Sequence, residues 1–255
     1  TYTESVALLP GMTLSGDPGE SIQINGSLAG AAGSALEGLD LVANGAAVAL
    51  TMNNVAMRAT RVRFFGSEAR TETGLLVTGT APAASVVEEC TFQALGTGMD
   101  IGDDIPMVRR SIFRNIAGAG IIVRASAAAV STNSIGGQND PRRGCNTFGL
   151  DIDGPAILNE RATPLVLENN DWGTGNAQEI AARIGGTGGN DFTPFLAAGS
   201  GILAASLYCT VWDAGSQARI ANGSVRAGNY GPVTENIQGI YVFPALPSGT
   251  YTVLA

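Results

Sequence analysis

The hexapeptide VEECTF, residues 87 to 92, is followed 21 residues later by VRRSIF, residues 108 to 113. Both begin on valine, end on phenylalanine and carry a small residue fourth, Cys90 and Ser111. VSTNSI (130–135) and LENNDW (167–172) share that outline, 22 and then 37 residues further on, with Asn133 and Asn170 fourth and Ile135 and Trp172 last. LTMNNV (50–55), with Asn53 fourth, is a weaker copy. A second strip keeps step with the first. Gly74, Gly98 and Gly120 each precede a short apolar stretch, in TGLLVTG, GTGMDIG and GAGIIVR. A period of 21 to 22 residues with one insertion is the organising unit, and it has to be settled before any single motif is read.

That period is too short for a propeller blade or a two-helix repeat, and the Leu-rich consensus of a horseshoe is missing. Short stretches of β-branched and apolar residues broken by Gly, Asn and Asp read as strands. The fold expected is all-β: a right-handed parallel β-helix over residues 1–198, its coils about 4.8 Å apart and each burying its inward residues against its neighbours. In that frame the fourth position of the hexad is a turn. Asn there accepts the left-handed conformation and bonds through its amide to its equivalent one coil away. Residues 6–26 supply a first coil.

The stretch GGQNDPRRGCNTFGLDIDG (136–154) is read as a loop thrown out from the stack, carrying Arg142 and Arg143. Within it, CNTF echoes the corner pattern of ECTF. Asn176 as N-cap, Glu179 three residues on, Ile180 and Ile184 on one face and Gly185 at the end predict a short helix over 176–184 that covers the end of the solenoid. NDFTPFL (190–196) then leads out of the domain. From about Gly199 the periodicity stops, and alternating strands separated by DAGS, ANGS and PSG predict a small antiparallel β-sandwich over 199–255.

Composition narrows function. The 255 residues carry 14 basic and 22 acidic side chains, a net charge of −8, which argues against nucleic acid and anionic membrane surfaces as partners. All the basic residues are arginine, and no histidine is present. Histidine bases, Ser-His-Asp triads, Schiff-base lysines, P-loop lysines and His-ligated zinc are therefore excluded. No apolar run approaches the roughly 20 residues of a spanning helix, so no membrane insertion is expected. The chain starts at Thr1 without methionine, as a processed secreted product or a trimmed one would. Cys90, Cys145 and Cys209 form no CxxC pair, and buried thiols are favoured over a disulfide framework.

Two family resemblances rest on these residues. LENNDWG with EIAARI and DFTPFL resembles the terminal coil of bacterial right-handed β-helix surface proteins, and with the upstream coils the resemblance spans residues 6–197. TENIQGIYVFPALPSGTYTVLA is similar to carboxypeptidase regulatory-like domains, which are prealbumin-type sandwiches. Gly239, Tyr241, Phe243, Leu246, Pro247, Gly249, Tyr251 and Val253 carry that pattern. Members of that family continue for two or three more strands, so a sandwich ending at Ala255 is expected to be a fragment or to take a strand from another subunit.

Several residues are weighed as sites. Gly102-Asp103-Asp104 resembles the aspartate pair of polygalacturonase-like hydrolases, but the Gly-His-Gly and Arg-x-Lys motifs of that family are missing, and a solvated turn is preferred. Asp151, Asp153 and Asp171 are calcium candidates, with Arg142 or Arg143 as the cation a lyase would need. Arg109, Arg110, Arg114 and Arg124 offer a surface for an anionic glycan, against the simpler reading of salt bridges to Glu88 and Glu89. Trp172 is read as core, not as a sugar platform, and Trp212, Tyr241 and Tyr251 as sandwich residues. Asn25 and Asn222 lie in Asn-Gly-Ser sequons that a bacterial context leaves unmodified. Glu168 and Asp171 alone in LENNDW remain free for chemistry. No catalytic residue and no cofactor are assigned. The expected function is non-enzymatic and extracellular: a rigid cell-surface stalk, adhesin or self-assembling fibre subunit, partnered by itself or by neighbouring domains of a larger surface protein. The alternative is a glycan-binding or polysaccharide-degrading β-helix.

Overall fold

Parallel pairing between successive coils organises residues 2 to 196 into a β-solenoid. The computed structural model describes residues 2–3, 5–16, 22–79, 85–127, 135–137, 144–187, 190–193 and 195–196, and beyond them five strands. Three parallel sheets form the walls. The first holds seven strands: Tyr2–Thr3, Gln23–Asn25, Asp40–Val42, Arg63–Phe65, Thr91–Leu95, Ile112–Ile116 and Thr147–Phe148. The second holds eight: Val6–Ala7, Leu28–Ala29, Val48–Asn53, Thr73–Thr78, Thr97–Ile101, Ile121–Val123, Ile157–Asn159 and Ile184–Gly186. The third holds five: Thr13–Ser15, Ala35–Glu37, Arg58–Thr60, Val86–Glu88 and Met107–Arg109. The chain visits first, second and third sheets in turn, and the first coil begins at Tyr2–Thr3, ahead of the expected start at residue 6, with Gln23–Asn25 opening the second.

Strand alternation sends every second side chain inward, and stacking then lines like residues up along the axis. The first sheet contributes an aromatic column of Phe64, Phe92, Phe113, Phe148 and Trp172, all with no exposed surface. Successive ring centroids are 4.5, 4.7, 5.1 and 5.0 Å apart and nearly parallel. Facing it on the second sheet is the glycine strip. A β-carbon at Gly74 would stand 2.7 Å from the Gly98 carbonyl oxygen and 2.8 Å from Phe92 Cδ1. The glycines are thus the space the rings occupy. Gly74→Ala is expected to lower stability by about 1–3 kcal/mol, as other overpacked cores do, measurable by denaturant unfolding.

Register corrects two of the repeat copies. Phe113 pairs with Phe148, not Ile135. Ile135 instead joins the third-sheet column of Val87, Val108 and Leu167, its carbonyl accepting the amide of Asn146 as the Val108 carbonyl does. Most of VSTNSI, Asn133 included, lies outside the described residues. LTMNNV belongs to the second sheet, where Asn53 ends a strand. The early copies of the hexad are LEGLDL (36–41) and ATRVRF (59–64), which pair in register with VEECTF. The loop expected over 136–154 is also corrected: Gly144 bridges Arg109, Phe148 joins the aromatic column and Ile152 bridges Ile116. Arg142 and Arg143 lie outside the described residues.

The corner itself differs from expectation by one residue. Positive φ falls at the third position of the hexad, at Gly38, Arg61, Glu89, Arg110, Cys145 and Asn169, with values from 52° to 63°. The first five donate their N–H to a carbonyl of the next coil at 2.7–3.1 Å. That bond offsets the cost of about 1–2 kcal/mol that a left-handed L-residue incurs, and turning there leaves the fourth side chain pointing inward.

The helix spans Ala177–Ala182, with Asn176 Oδ1 accepting the Gln178 N–H. It does not close the stack. Ile184–Gly186 continues the second sheet beyond it, paired with Ile157–Asn159. The helix fills one corner of the last full coil, burying Ile180, and residues 190–193, 195 and 196 add part of a further coil instead of leaving the domain. Further on, Ala205–Cys209 pairs antiparallel with Tyr241–Leu246, and Ser224–Ala227 with both Tyr230–Thr234 and Val253–Leu254. Trp212, Asn222 and Tyr251 lie outside the described residues.

Candidate functional site

The densest buried polar constellation lies along the inward corner, where the fourth hexad positions stack. From the first coils onward this column reads Leu39, Val62, Cys90, Ser111, Asn146 and Asn170, all essentially unexposed. Its polar half is one hydrogen-bonded ladder. The Cys90 N–H donates to Ser111 Oγ at 3.2 Å, the Ser111 N–H to Asn146 Oδ1 at 3.0 Å and the Asn146 N–H to Asn170 Oδ1 at 3.0 Å. The Asn146 amide donates in turn to the Val108 and Ile135 carbonyls, and that of Asn170 to the Leu167 carbonyl at 2.8 Å. The amide-to-amide contact expected of the corner is present, and the ladder's groups are occupied by the backbone. Burial drives the Cys90 thiol up to about 12, which keeps it protonated, and its sulfur lies 3.4 Å from the Glu88 carbonyl oxygen.

Charged candidates pair between coils. Glu88 is buried and receives Arg109 at 2.8 Å and Arg110 at the other oxygen, with Arg58 at 3.8 Å. Arg110 also reaches Glu89 at 3.2 Å, and Arg61 pairs with Glu37 one coil earlier. Arg114 points outward on the first sheet and grips Gln93 Oε1 at 2.7 and 3.0 Å. Arg124, at the end of a second-sheet strand, forms a two-bond pair with Asp100 at 2.8 and 2.7 Å and reaches Glu160 at 3.0 Å. The Asp100 hydrogen bonds push its pKa further up. The four arginines are therefore divided among separate walls and not gathered into one basic patch.

The proposed acid pair sits in the turn after the second sheet, where Asp103 accepts the Gly79 N–H of the preceding coil. The calcium candidates are committed to arginines and backbone. Asp153 pairs with Arg70 at 3.0 Å, while buried Asp171 accepts the Gly173 N–H at 2.9 Å, so Asp171 is not free for chemistry. Asp151 and Asp171 both support the charge of Arg183. Among the described residues no three His, Cys, Asp or Glu side chains are grouped as metal ligands.

Three participants escaped sequence reasoning. Arg183 donates to the carbonyls of Phe148, Gly149 and Trp172, closing that corner of the last coils, and burial lowers its pKa. Arg70 spans coils, reaching Asn115 Oδ1 at 3.1 Å as well as Asp153. Glu72 is buried, which disfavours its charge, but hydrogen bonds from Ser67 and Thr71 outweigh burial and hold it below the usual carboxylate range. Glu168, by contrast, is raised to about 6 by burial and by the charge of Asp191. Trp172 is core as expected, although its Nε1–H has no acceptor among the described residues. No helix among the described residues is long and apolar enough to cross a membrane. The chain matches no protein-family model, no curated protein and no solved structure.

Proposed function

We propose that this chain is an extracellular structural protein, a stiff stalk or fibre element of bacterial origin. A right-handed β-helix, the hand that parallel crossovers take in about 98% of cases, is joined near residue 199 to a prealbumin-like sandwich formed by the antiparallel strands after Ala205. One observation carries the reading: the residues with chemical potential are engaged in holding coil to coil. Glu88 joins arginines of three positions, Asp100 and Glu160 share Arg124, and Asp153 takes Arg70. A continuous aromatic column behind these pairs resists bending and denies proteases a local opening. Adhesion or assembly into fibres is the work such a rod performs.

The second class, a glycan-binding or polysaccharide-degrading solenoid with or without calcium, is favoured by the exposed, outward-facing guanidinium of Arg114, which has Gln93 and no carboxylate as its described partner. Two measurements separate the readings. Electron microscopy of the purified protein at high concentration is expected to show rods or fibres, and uniformly dispersed monomers would count against assembly. A panel of acidic polysaccharides, scored for unsaturated or reducing ends with and without calcium, is expected to show no turnover; robust turnover overturns the structural reading.

A further inference from the structure

We propose that Glu168 and Asp191 form an acid-set latch that fastens the partial coil at residues 190–196 onto the last full coil. The segment is held by few backbone bonds. The Leu167 N–H donates to the Asp191 carbonyl at 2.6 Å, the Asp191 N–H to the Leu165 carbonyl at 3.0 Å and the Leu196 N–H to the Asn170 carbonyl at 2.9 Å. Phe192 and Phe195 lie half-buried against the core and Leu196 is buried. Glu168 sits beside this seam with only 5% of its surface exposed, and the charge of Asp191 acts on it from the added segment.

The column explains why no cation among the described residues relieves the pair. Glu168 occupies the register of Glu88, where arginines of the following coil supply the counter-charge. At the Glu168 level the preceding coil offers Gly144 instead, and Arg109 lies one coil further away. Beside Gly144 the described titratable neighbour is Cys145, Arg142 and Arg143 lying outside the described residues, and on the coil of Glu168 Asp171 accepts the Gly173 N–H. Among the described residues the Asp191 side chain accepts from its own turn, from the Thr193 N–H at 3.2 Å and hydroxyl at 3.3 Å. The charge of Asp191 thus bears on Glu168 where one chain segment docks on another, without a described arginine between them.

The sign follows from burial. The docked Glu168 carboxyl titrates at about 6 against an ordinary 4.5, so the docked state binds the proton more tightly than an undocked one. Docking is strongest below pH 4.5 and weakens as pH rises through 6, by at most about thirtyfold for a shift of that size.

Hydrogen exchange of the whole chain tests the latch, with protection factors corrected for intrinsic rates. Protection at the Leu167, Asp191 and Leu196 amides is expected to fall about tenfold or more between pH 4.5 and 6.5, while that of Ile112 stays constant. In Glu168→Gln the three amides keep their acid-level protection at pH 7. Asp191→Asn, which removes the repulsion and leaves the burial, is expected to shrink the fall, and serves if the first variant does not fold. A flat wild-type profile, a fall of equal size in Glu168→Gln, or an equal fall at Ile112 overturns the proposal.

Discussion

Phe113→Ala is expected to lower the unfolding free energy by about 3–5 kcal/mol, the range for deleting a fully buried phenylalanine. Phe113 is stacked on both sides, 4.7 Å from Phe92 and 5.1 Å from Phe148. Truncation removes the burial of one ring and also strips contact from the two it separates. A solenoid is stabilised largely by nearest-neighbour interfaces, so the damage concentrates at one level. The coils on either side are expected to lose cooperativity, seen as a shallower or split denaturant transition. Phe113→Leu keeps much of the volume and is expected to cost well under half as much. Equal losses for the two variants would mean that ring stacking, not filled space, sets the stability.

Asn146→Ala is expected to cost about 3 kcal/mol or more. Its amide oxygen takes the Ser111 N–H, and its amide nitrogen serves the Val108 and Ile135 carbonyls, all in a dry corner. Each buried backbone group left without a partner costs roughly 1–3 kcal/mol, and alanine strips the Ser111 N–H and the Val108 carbonyl, while the Ile135 carbonyl keeps the Asn170 amide at 3.3 Å. Ser111→Ala, which deprives the Cys90 N–H and takes one of two donors from the Arg109 carbonyl, is expected to cost about 1 kcal/mol. Because Asn146 and Asn170 share a bond, their double alanine variant is expected to cost less than the sum of the singles, a coupling that thermal unfolding of the four proteins measures.

The solenoid was legible because Phe92 and Phe113 sit in adjacent coils with no insertion between them, and because Gly74, Gly98 and Gly120 repeat in step. Reading failed where the period was interrupted. The insertion falls inside the hexad, between Ile135 and Gly144, so matching apolar ends drew Ile135 into the wrong column. The early copies were missed because Leu39 and Val62 fill the corner with aliphatic side chains, leaving no Asn or Ser to mark it. The left-handed corner was placed one residue late because Arg61, Glu89 and Arg110 adopt it through an intercoil hydrogen bond, a cause that residue type does not advertise. The pairing of Glu88 with Arg109 and Arg110 was legible from one coil's spacing. Arg70 with Asp153, and Arg183 with the carbonyls of two coils, were not, since those contacts depend on how many residues each corner inserts.

The inward corner column passes from Leu39 and Val62 through Cys90 and Ser111 to Asn146 and Asn170. Each level therefore fits only its own neighbours, and the coils are not interchangeable modules. Recombination that deleted the coil of Ser111 would set Cys90 against the amide of Asn146 and still leave a donor matched to an acceptor. Deleting the coils of both Cys90 and Ser111 would set that amide against the Val62 N–H, which now faces the Cys90 thiol, in a space that a smaller side chain fills. The gradient works as an address system along the rod, restricting which duplications and losses of coils its lineage can survive.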